Sequence, residues 1–192
     1  SKKVYNFSAG PAVLPPSVLA EAGKGLLDLD GTGIGVMEHS HRGKAFLKVY
    51  EETEALCREL GGISPDYDVL FLQGGASSQF FMVPMNFLRT GHSADYVQTG
   101  VWSEKAVDEA LIQGNVRIAA TTRADDGRYY RVPTQREVSI DPNAAYLHST
   151  SNNTIYGTQF HTPLETGAVP HVCDMSSDFM WRPTDVSRYA FI

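Results

Sequence analysis

The chain has 192 residues, 42% of them hydrophobic and 20% charged, a composition typical of a globular protein with one substantial core. A formal net charge of −6 argues against general attraction to nucleic acid or to an anionic membrane, so an anionic ligand would need a local cationic pocket. No stretch approaches the ~20 apolar residues of a membrane span, and the basic start lacks the apolar core of a signal peptide. Cys57 and Cys173 have no CxxC spacing and predict buried thiols in a reducing compartment, most simply the cytoplasm.

The first third of the chain predicts an arm and two helices. Glycine and proline punctuate residues 1–15, and residues 16–192 are predicted to form one large domain. Ser17 opens a helix whose apolar residues recur on one face, and a second helix follows Lys44 and closes at Gly61 and Gly62.

The stretch VLFLQGGASSQFFMVPMNFL then predicts a strand, a tight turn and a helix. Val69 to Leu72 is a short apolar run typical of a buried parallel strand, and Gly74 and Gly75 permit a close turn. Ser77 or Ser78 falls at the expected N-cap of the helix. Unpaired N–H groups there could hold an anion, although small residues that merely let a strand turn into a helix explain the pattern equally well.

The remainder alternates between short apolar strands and helical patterns. We predict strands at 94–97, 116–119, 144–147 and 169–173, a helix capped by Ser103, a hairpin or loop at 121–131, a polar loop at 148–154, a turn or short helix at 183–188 and a new strand beginning at 189. This alternation favours an α/β fold with a mainly parallel sheet and helices on both faces. Ligands in such folds gather beyond the carboxyl ends of the strands.

The side chains at those ends suggest a flat, phosphorylated, nitrogen-containing ring. Pyridoxal phosphate fits them: its phosphate would lie near Ala76 and Ser77, its ring would stack on Trp102, and Asp174 would pair with the ring nitrogen. Each residue also has a simpler explanation, because an aspartate after a strand is often a turn former and a tryptophan is often part of a core. Their joint placement favours the cofactor.

Five segments, in order and at matching spacing, resemble the phosphoserine aminotransferase family of class V pyridoxal phosphate enzymes. They are NFSAGPAVLP at 6–15, SHRGK at 40–44, LQGGASSQF at 72–80, ADYVQTGVWS at 94–103 and CDMSSDFMWRPTDVSRY at 173–189. The resemblance implies a fold-type I large domain, incomplete at its carboxyl end, from a cytoplasmic homodimer. It also implies amino-group exchange between O-phosphoserine with 3-phosphohydroxypyruvate and glutamate with 2-oxoglutarate, in serine biosynthesis.

The resemblance also assigns roles to single residues. It places Ala76 and Ser77 on the cofactor phosphate, Trp102 on the ring face, Thr154 on the ring oxygen, Asp174 on the ring nitrogen, and His41 with Arg42 on the anionic group of the substrate. Arg42 can grip a carboxylate or phosphate through two donors, and a protonated His41 adds a second charge. These two residues could equally be a solvated helix start. His-x-His without a third ligand does not indicate a metal site.

In the family, the lysine that forms the Schiff base follows the strand that begins at Tyr189, and Ile192 is reached before that position. We therefore expect that these 192 residues alone do not transaminate. Two alternatives remain open: a catalytically silent module for pyridoxal phosphate binding, phosphate binding or assembly, and another class V activity such as alanine:glyoxylate transamination or cysteine desulfuration.

Overall fold

A computed structural model of the chain describes residues 4–192, in two compact units. The first unit ends at Val69 and the second runs from Leu70 to Ile192. The predicted boundary between an arm at 1–15 and a large domain at 16–192 stays a prediction. Among the described residues, no helix is both long and apolar enough to cross a membrane.

The first unit contains two α-helices, α1 at Pro16–Leu27 and α2 at Lys44–Gly61. A 3-10 turn, Val36–Glu38, lies between them. α1 begins one residue before the predicted Ser17, because proline suits the first helical turn, where its missing N–H leaves no bond unmade. Both predicted helices are therefore present, and α2 ends where the glycines predict.

A parallel sheet organises the second unit. Its strands are β1 (Ser93–Gln98), β2 (Asn115–Thr121), β3 (Leu147–Thr150) and β6 (His171–Asp174), in the spatial order β2-β1-β3-β6 and with every neighbouring pair parallel. β4 (Asn152–Asn153) and β5 (Thr158–Gln159) form a separate antiparallel ribbon. The helices are α3 (Gly75–Phe87) and α4 (Val101–Gln113). The prediction of a mainly parallel α/β fold is confirmed.

The core of this unit divides into clusters on either side of the sheet. One cluster joins Tyr96 and Val172 to Phe80 of α3 and Val107 of α4. A second cluster contains Val97 and Leu147 with apolar residues from the loops at 132–140 and 160–169. Successive strand residues point to opposite faces, so Tyr96 and Val97 enter different clusters.

The predicted strand at Val69–Leu72 is wrong, because the structure assigns no strand there. Leu70 and Leu72 are 64% and 53% exposed, and the segment joins no strand of the described sheet. An apolar run becomes a strand only where a neighbour supplies backbone hydrogen bonds, which composition alone does not reveal.

The predicted strand at 144–147 is displaced by three residues. β3 begins at Leu147 and continues through His148, Ser149 and Thr150, which were predicted to be part of a loop. All three polar side chains are buried, on the two faces of the sheet. Burial by tertiary contacts has therefore overridden the polar character on which the loop prediction depended.

The segment from Tyr189 was predicted to begin a further strand. The structure shows a 3-10 turn at Val186–Arg188, within the predicted turn or short helix, followed by a single parallel bridge between Phe191 and Val172. The strand predicted from Tyr189 is therefore present only as this bridge within the described residues. Of the hairpin or loop predicted at 121–131, the structure shows a hairpin around Asp125-Asp126-Gly127, with an antiparallel bridge between Arg123 and Tyr129.

Candidate active site

The first component of the site is the amino end of α3. The helix begins at Gly75, two residues earlier than Ser77, so the prediction of a serine N-cap is wrong. Gly74 caps the helix in a left-handed conformation with φ 97°, and a Cβ there would lie 2.1 Å from Ser78 Oγ. No side chain of residues 4–192 caps the helix, so backbone N–H groups and the positive end of the helix dipole remain available to an anion. Ser77 is exposed beside them.

The second component is Trp102, in the first turn of α4. The indole is half-buried against the core cluster that also includes Ala76 of α3. Its Nε1–H donates to Thr154 Oγ1 at 3.1 Å, and Lys105 Nζ lies 4.8 Å from the ring centroid. The structure therefore joins two of the predicted cofactor residues directly and holds the indole plane in one orientation.

A hydrogen-bonded cluster at the start of α4 explains how those two residues meet. We call it the Thr99 cluster; its members are Thr99, Gly100, Ser103, Asn153 and Thr158. Ser103 was predicted as the N-cap, but it lies inside the helix and its Oγ accepts from the N–H groups of Thr99 and Gly100 at 2.8 and 3.0 Å. Buried Asn153 donates from Nδ2 to Thr99 Oγ1 at 2.9 Å. Thr158 donates from its hydroxyl to the Thr99 carbonyl at 2.5 Å.

Gly100 allows this close approach between α4 and the β4–β5 ribbon. A Cβ at position 100 would lie 2.5 Å from Cγ and Oδ1 of Asn153. Thr154 follows Asn153 on the turn of the ribbon, so the Thr99 cluster fixes the spacing between Trp102 and Thr154. Sequence reasoning missed the roles of Thr99, Gly100 and Thr158, and the glycine directly before a helix was the signal available.

The third component is Asp174, the last residue of β6. The carboxylate is half-buried, and within residues 4–192 its hydrogen bonds fall on one oxygen: Oδ1 accepts from Ser176 N at 3.0 Å and from Ser176 Oγ at 2.6 Å. Thr150 of β3 lies directly opposite in the sheet register. The arrangement holds the carboxylate in place and leaves Oδ2 to meet a ligand.

Buried polar side chains lie on the same face of the sheet below Asp174. The Tyr96 ring stacks on His148 with centroids 4.8 Å apart, and its hydroxyl lies 2.7 Å from that of Tyr146. Burial lowers the pKa of His148 to about 4, opposed by attraction to the Asp174 carboxylate. Burial also raises the pKa of Tyr96, and it raises that of Tyr146 to about 12. These three groups are therefore uncharged at neutral pH and do not neutralise Asp174.

The two predicted substrate residues lie in the first unit. His41 and Arg42 occupy the exposed turn between the 3-10 helix and α2, where the Arg42 N–H donates to Ser40 Oγ at 3.3 Å. The predicted cofactor residues, in contrast, all lie in the second unit: Ala76, Ser77, Trp102, Thr154 and Asp174. The roles of all seven residues stay predictions.

The second unit is a parallel α/β unit, and ligands of such units bind beyond the carboxyl ends of the strands, where Asp174 ends β6. The family model "Aminotransferase class-V" matches residues 4–191, and the chain belongs to that family.

Curated relatives point to one member of the family. The chain is 54% identical to phosphoserine aminotransferase from Herpetosiphon aurantiacus over 98% of its own length and 52% of the relative's. It is 52% identical to phosphoserine aminotransferase from Nitrosomonas europaea, covering 100% of this chain and 53% of that one. The chain thus spans about half the length of the curated relatives it matches.

Solved structures give the same result. Phosphoserine aminotransferase from Bacillus circulans subsp. alkalophilus superimposes with a TM-score of 0.92 at 46% identity, over 98% of this chain and 52% of that structure. The structure described as PLP-bound phosphoserine aminotransferase from Trichomonas vaginalis gives a TM-score of 0.89 at 33% identity, over 97% of this chain and 55% of that structure. The family-level expectation from the sequence motifs is confirmed.

Proposed function

We propose that this chain is the large, cofactor-binding part of a pyridoxal phosphate-dependent phosphoserine:2-oxoglutarate aminotransferase. The observation that carries the proposal is the hydrogen bond from Trp102 to Thr154. It orients the indole ring in the same unit in which Asp174 is the last residue of β6. The family membership and the phosphoserine aminotransferase relatives support the same conclusion.

The residues present fit the cofactor. The amide groups of Ala76 and Ser77 at the start of α3 would hold the phosphate, since no side chain in the described part of the chain caps this helix. Trp102 would contact one face of the ring, and the Thr154 hydroxyl can donate to the ring oxygen while it accepts from the indole N–H. Asp174 would hold a proton on the ring nitrogen.

Bound pyridoxal phosphate supplies an electron sink for the bonding electrons of the amino-acid α-carbon. The chain's contribution is electrostatic. The side chains below Asp174 are those of Tyr96, Tyr146 and His148; they are uncharged and do not neutralise its negative charge. The carboxylate therefore favours a cationic nitrogen above it.

The substrates follow from the relatives, and we propose O-phosphoserine with 3-phosphohydroxypyruvate, and glutamate with 2-oxoglutarate. A phosphate carries roughly −1.5 to −2 charges at neutral pH, so a chain of net charge −6 must place cations locally. Arg42 offers two parallel donors on an exposed turn, and His41 is adjacent.

We further propose that the intact protein is a cytoplasmic homodimer. Cys173 is a free, buried thiol, which suits a reducing compartment. α1 leaves Leu19 and Leu27 exposed by 56% and 82%, and apolar helical surface of this kind is usually covered in an assembly. Residues 1–192 hold no lysine at the family's Schiff-base position, so we expect them alone not to transaminate.

The test is a titration of the chain with pyridoxal phosphate, followed by its absorbance. We expect saturable binding that weakens at least tenfold in Asp174→Asn, whereas Asp125→Asn, in the exposed turn of the hairpin, leaves binding unchanged. Equal affinity of the two variants would reject the assignment of Asp174.

Borohydride treatment then separates the catalytic proposal from a silent binding module. A polypeptide that continues through the family's lysine should give a stable lysine adduct, and residues 1–192 should not. Turnover of phosphoserine against serine, alanine and cysteine by the longer polypeptide distinguishes the proposed substrate from other class V activities; a preference for alanine or cysteine would overturn it.

A further inference from the structure

Three polar residues lie on one face of the sheet at the end of β3 and β6. His148 and Thr150 are two residues apart on β3, so both side chains point to the same face. Thr150 is the register partner of Asp174, and His148 is the partner of Val172, two residues earlier on β6. Thr150 is therefore the neighbour of His148 along β3 and of Asp174 across the pair of strands.

Two atoms of this group are buried and lack a partner among the described residues, namely His148 Nδ1 and Thr150 Oγ1. The residues are only 4% and 2% exposed. A buried donor or acceptor without a partner costs about 1 to 3 kcal/mol, so native proteins rarely leave two in adjacent positions without a use. As far as the described residues show, the carboxylate of Asp174, beside them, has its hydrogen bonds on Oδ1 alone.

We propose that His148 and Thr150 are positioning residues that form a hydrogen-bond relay to Asp174. In the relay, His148 Nδ1–H donates to Thr150 Oγ1, and the Thr150 hydroxyl donates to the Asp174 carboxylate. In this relay both of the buried atoms without a partner would gain one. The inference rests on the proposed role of Asp174 beneath a ring nitrogen, because the relay would hold the carboxylate with one oxygen directed at that nitrogen.

The surroundings of His148 favour a neutral imidazole that acts as a donor. The groups that face it are Tyr96, stacked at 4.8 Å, and Asp174 on β6. His171 is coupled to it electrostatically from the opposite face, where its Nε2 lies 2.8 Å from Ser149 Oγ. Burial lowers the pKa of both histidines to about 4. With one proton on the imidazole at neutral pH, the relay requires it to be on Nδ1.

The first test determines which nitrogen of the His148 imidazole carries the proton, and it needs no ligand. In the ¹⁵N-labelled chain at pH 7.5, the imidazole nitrogen shifts of His148 should report the Nδ1–H tautomer. Thr150→Val, which keeps the shape and removes the hydroxyl, should shift the population toward Nε2–H, and Thr150→Ser should restore it. Ser149→Ala, which removes a buried hydroxyl from the opposite face, should leave it unchanged. An Nε2–H tautomer in the parent chain, or no response to Thr150→Val, would overturn the relay.

The second test asks whether the relay serves the ring nitrogen. Thr150→Val should weaken binding of pyridoxal phosphate about tenfold, the equivalent of one hydrogen bond to a charged group, but leave binding of the carbocyclic analogue without that nitrogen unchanged. Equal losses for both ligands would reject positioning toward the nitrogen. If the parent chain binds neither ligand while the tautomer responds as expected, the proposed function fails and the relay itself stands.

Discussion

The buried ion pair between Asp95 and Arg117 gives the sharpest prediction for stability. Asp95 is fully buried in β1, at the centre of the sheet. Its carboxylate accepts from Arg117 Nε at 2.8 Å, from Arg117 Nη2 at 2.5 Å and from the Asp141 N–H at 2.7 Å. The pair joins β1, β2 and the loop that leads to β3, so its loss should be felt across the sheet.

We expect Asp95→Asn to destabilise the second unit by about 3 kcal/mol. Breaking one partner of a buried ion pair costs about 3 to 5 kcal/mol, and the lower end applies because the Arg117 side chain is 38% exposed and water can solvate it. For a chain of this size, about 3 kcal/mol lowers the Tm by roughly 6 to 12 °C. Thermal unfolding followed by near-ultraviolet circular dichroism measures the change.

Two comparisons make this prediction refutable. Asp125→Asn, in an exposed turn, is the matched control and should change the Tm by less than about 2 °C. Arg117→Met should destabilise at least as much as Asp95→Asn, because it leaves a fully buried carboxylate with only the Asp141 N–H. A Tm for Asp95→Asn within 2 °C of the control would show that the pair is not a determinant of stability.

Three further predictions follow from burial. Gly100→Ala should lower the free energy of unfolding by about 1 to 3 kcal/mol in a denaturant titration, because the new Cβ meets Asn153. The same variant should bind pyridoxal phosphate more weakly, and an unchanged affinity would contradict the role of the Thr99 cluster. His148 and His171 both have a folded pKa of about 4, below the ordinary 6.5, so the unfolded chain binds more protons than the folded one as the pH falls. The free energy of unfolding should therefore fall by up to roughly 3 kcal/mol per histidine between pH 6.5 and 4, and urea midpoints that stay constant over that range would refute this. Burial raises the pKa of the Cys173 thiol to about 12, so iodoacetamide at pH 8 should label Cys173 only in denaturant, as peptide mass mapping would show.

Sequence reasoning succeeded where local chemistry determines structure. The start of α2 after the glycine turn and its end at paired glycines were both recognisable, because capping and helix termination depend on neighbouring residues. The strands β1 and β6 were recognisable for a similar reason: each combines a short apolar run with a turn residue at its end.

It failed where a distant partner decides the outcome. Val69–Leu72 has the composition of a strand and no place in the described sheet, and His148 to Thr150 has the composition of a loop and forms a strand. The candidate site shows the same division. Trp102, Thr154 and Asp174 could be proposed from strand ends and motifs, but Thr99 and Gly100 become meaningful only when Asn153, over 50 residues away, packs against them.

The charges of the second unit impose two opposite demands on a ligand. Backbone N–H groups at the start of α3 favour a negative group, and they do so without using a cationic side chain of an acidic protein. Asp174, above uncharged buried neighbours, favours a positive group. A ligand that satisfies both must carry an anion at one end, a protonatable nitrogen at the other and a flat body that can stack on Trp102. Inorganic phosphate meets only the first demand, so it should compete with pyridoxal phosphate weakly, and Asp174→Asn should leave its affinity unchanged. Tight phosphate binding that depends on Asp174 would mean that the carboxylate does not recognise a ring nitrogen.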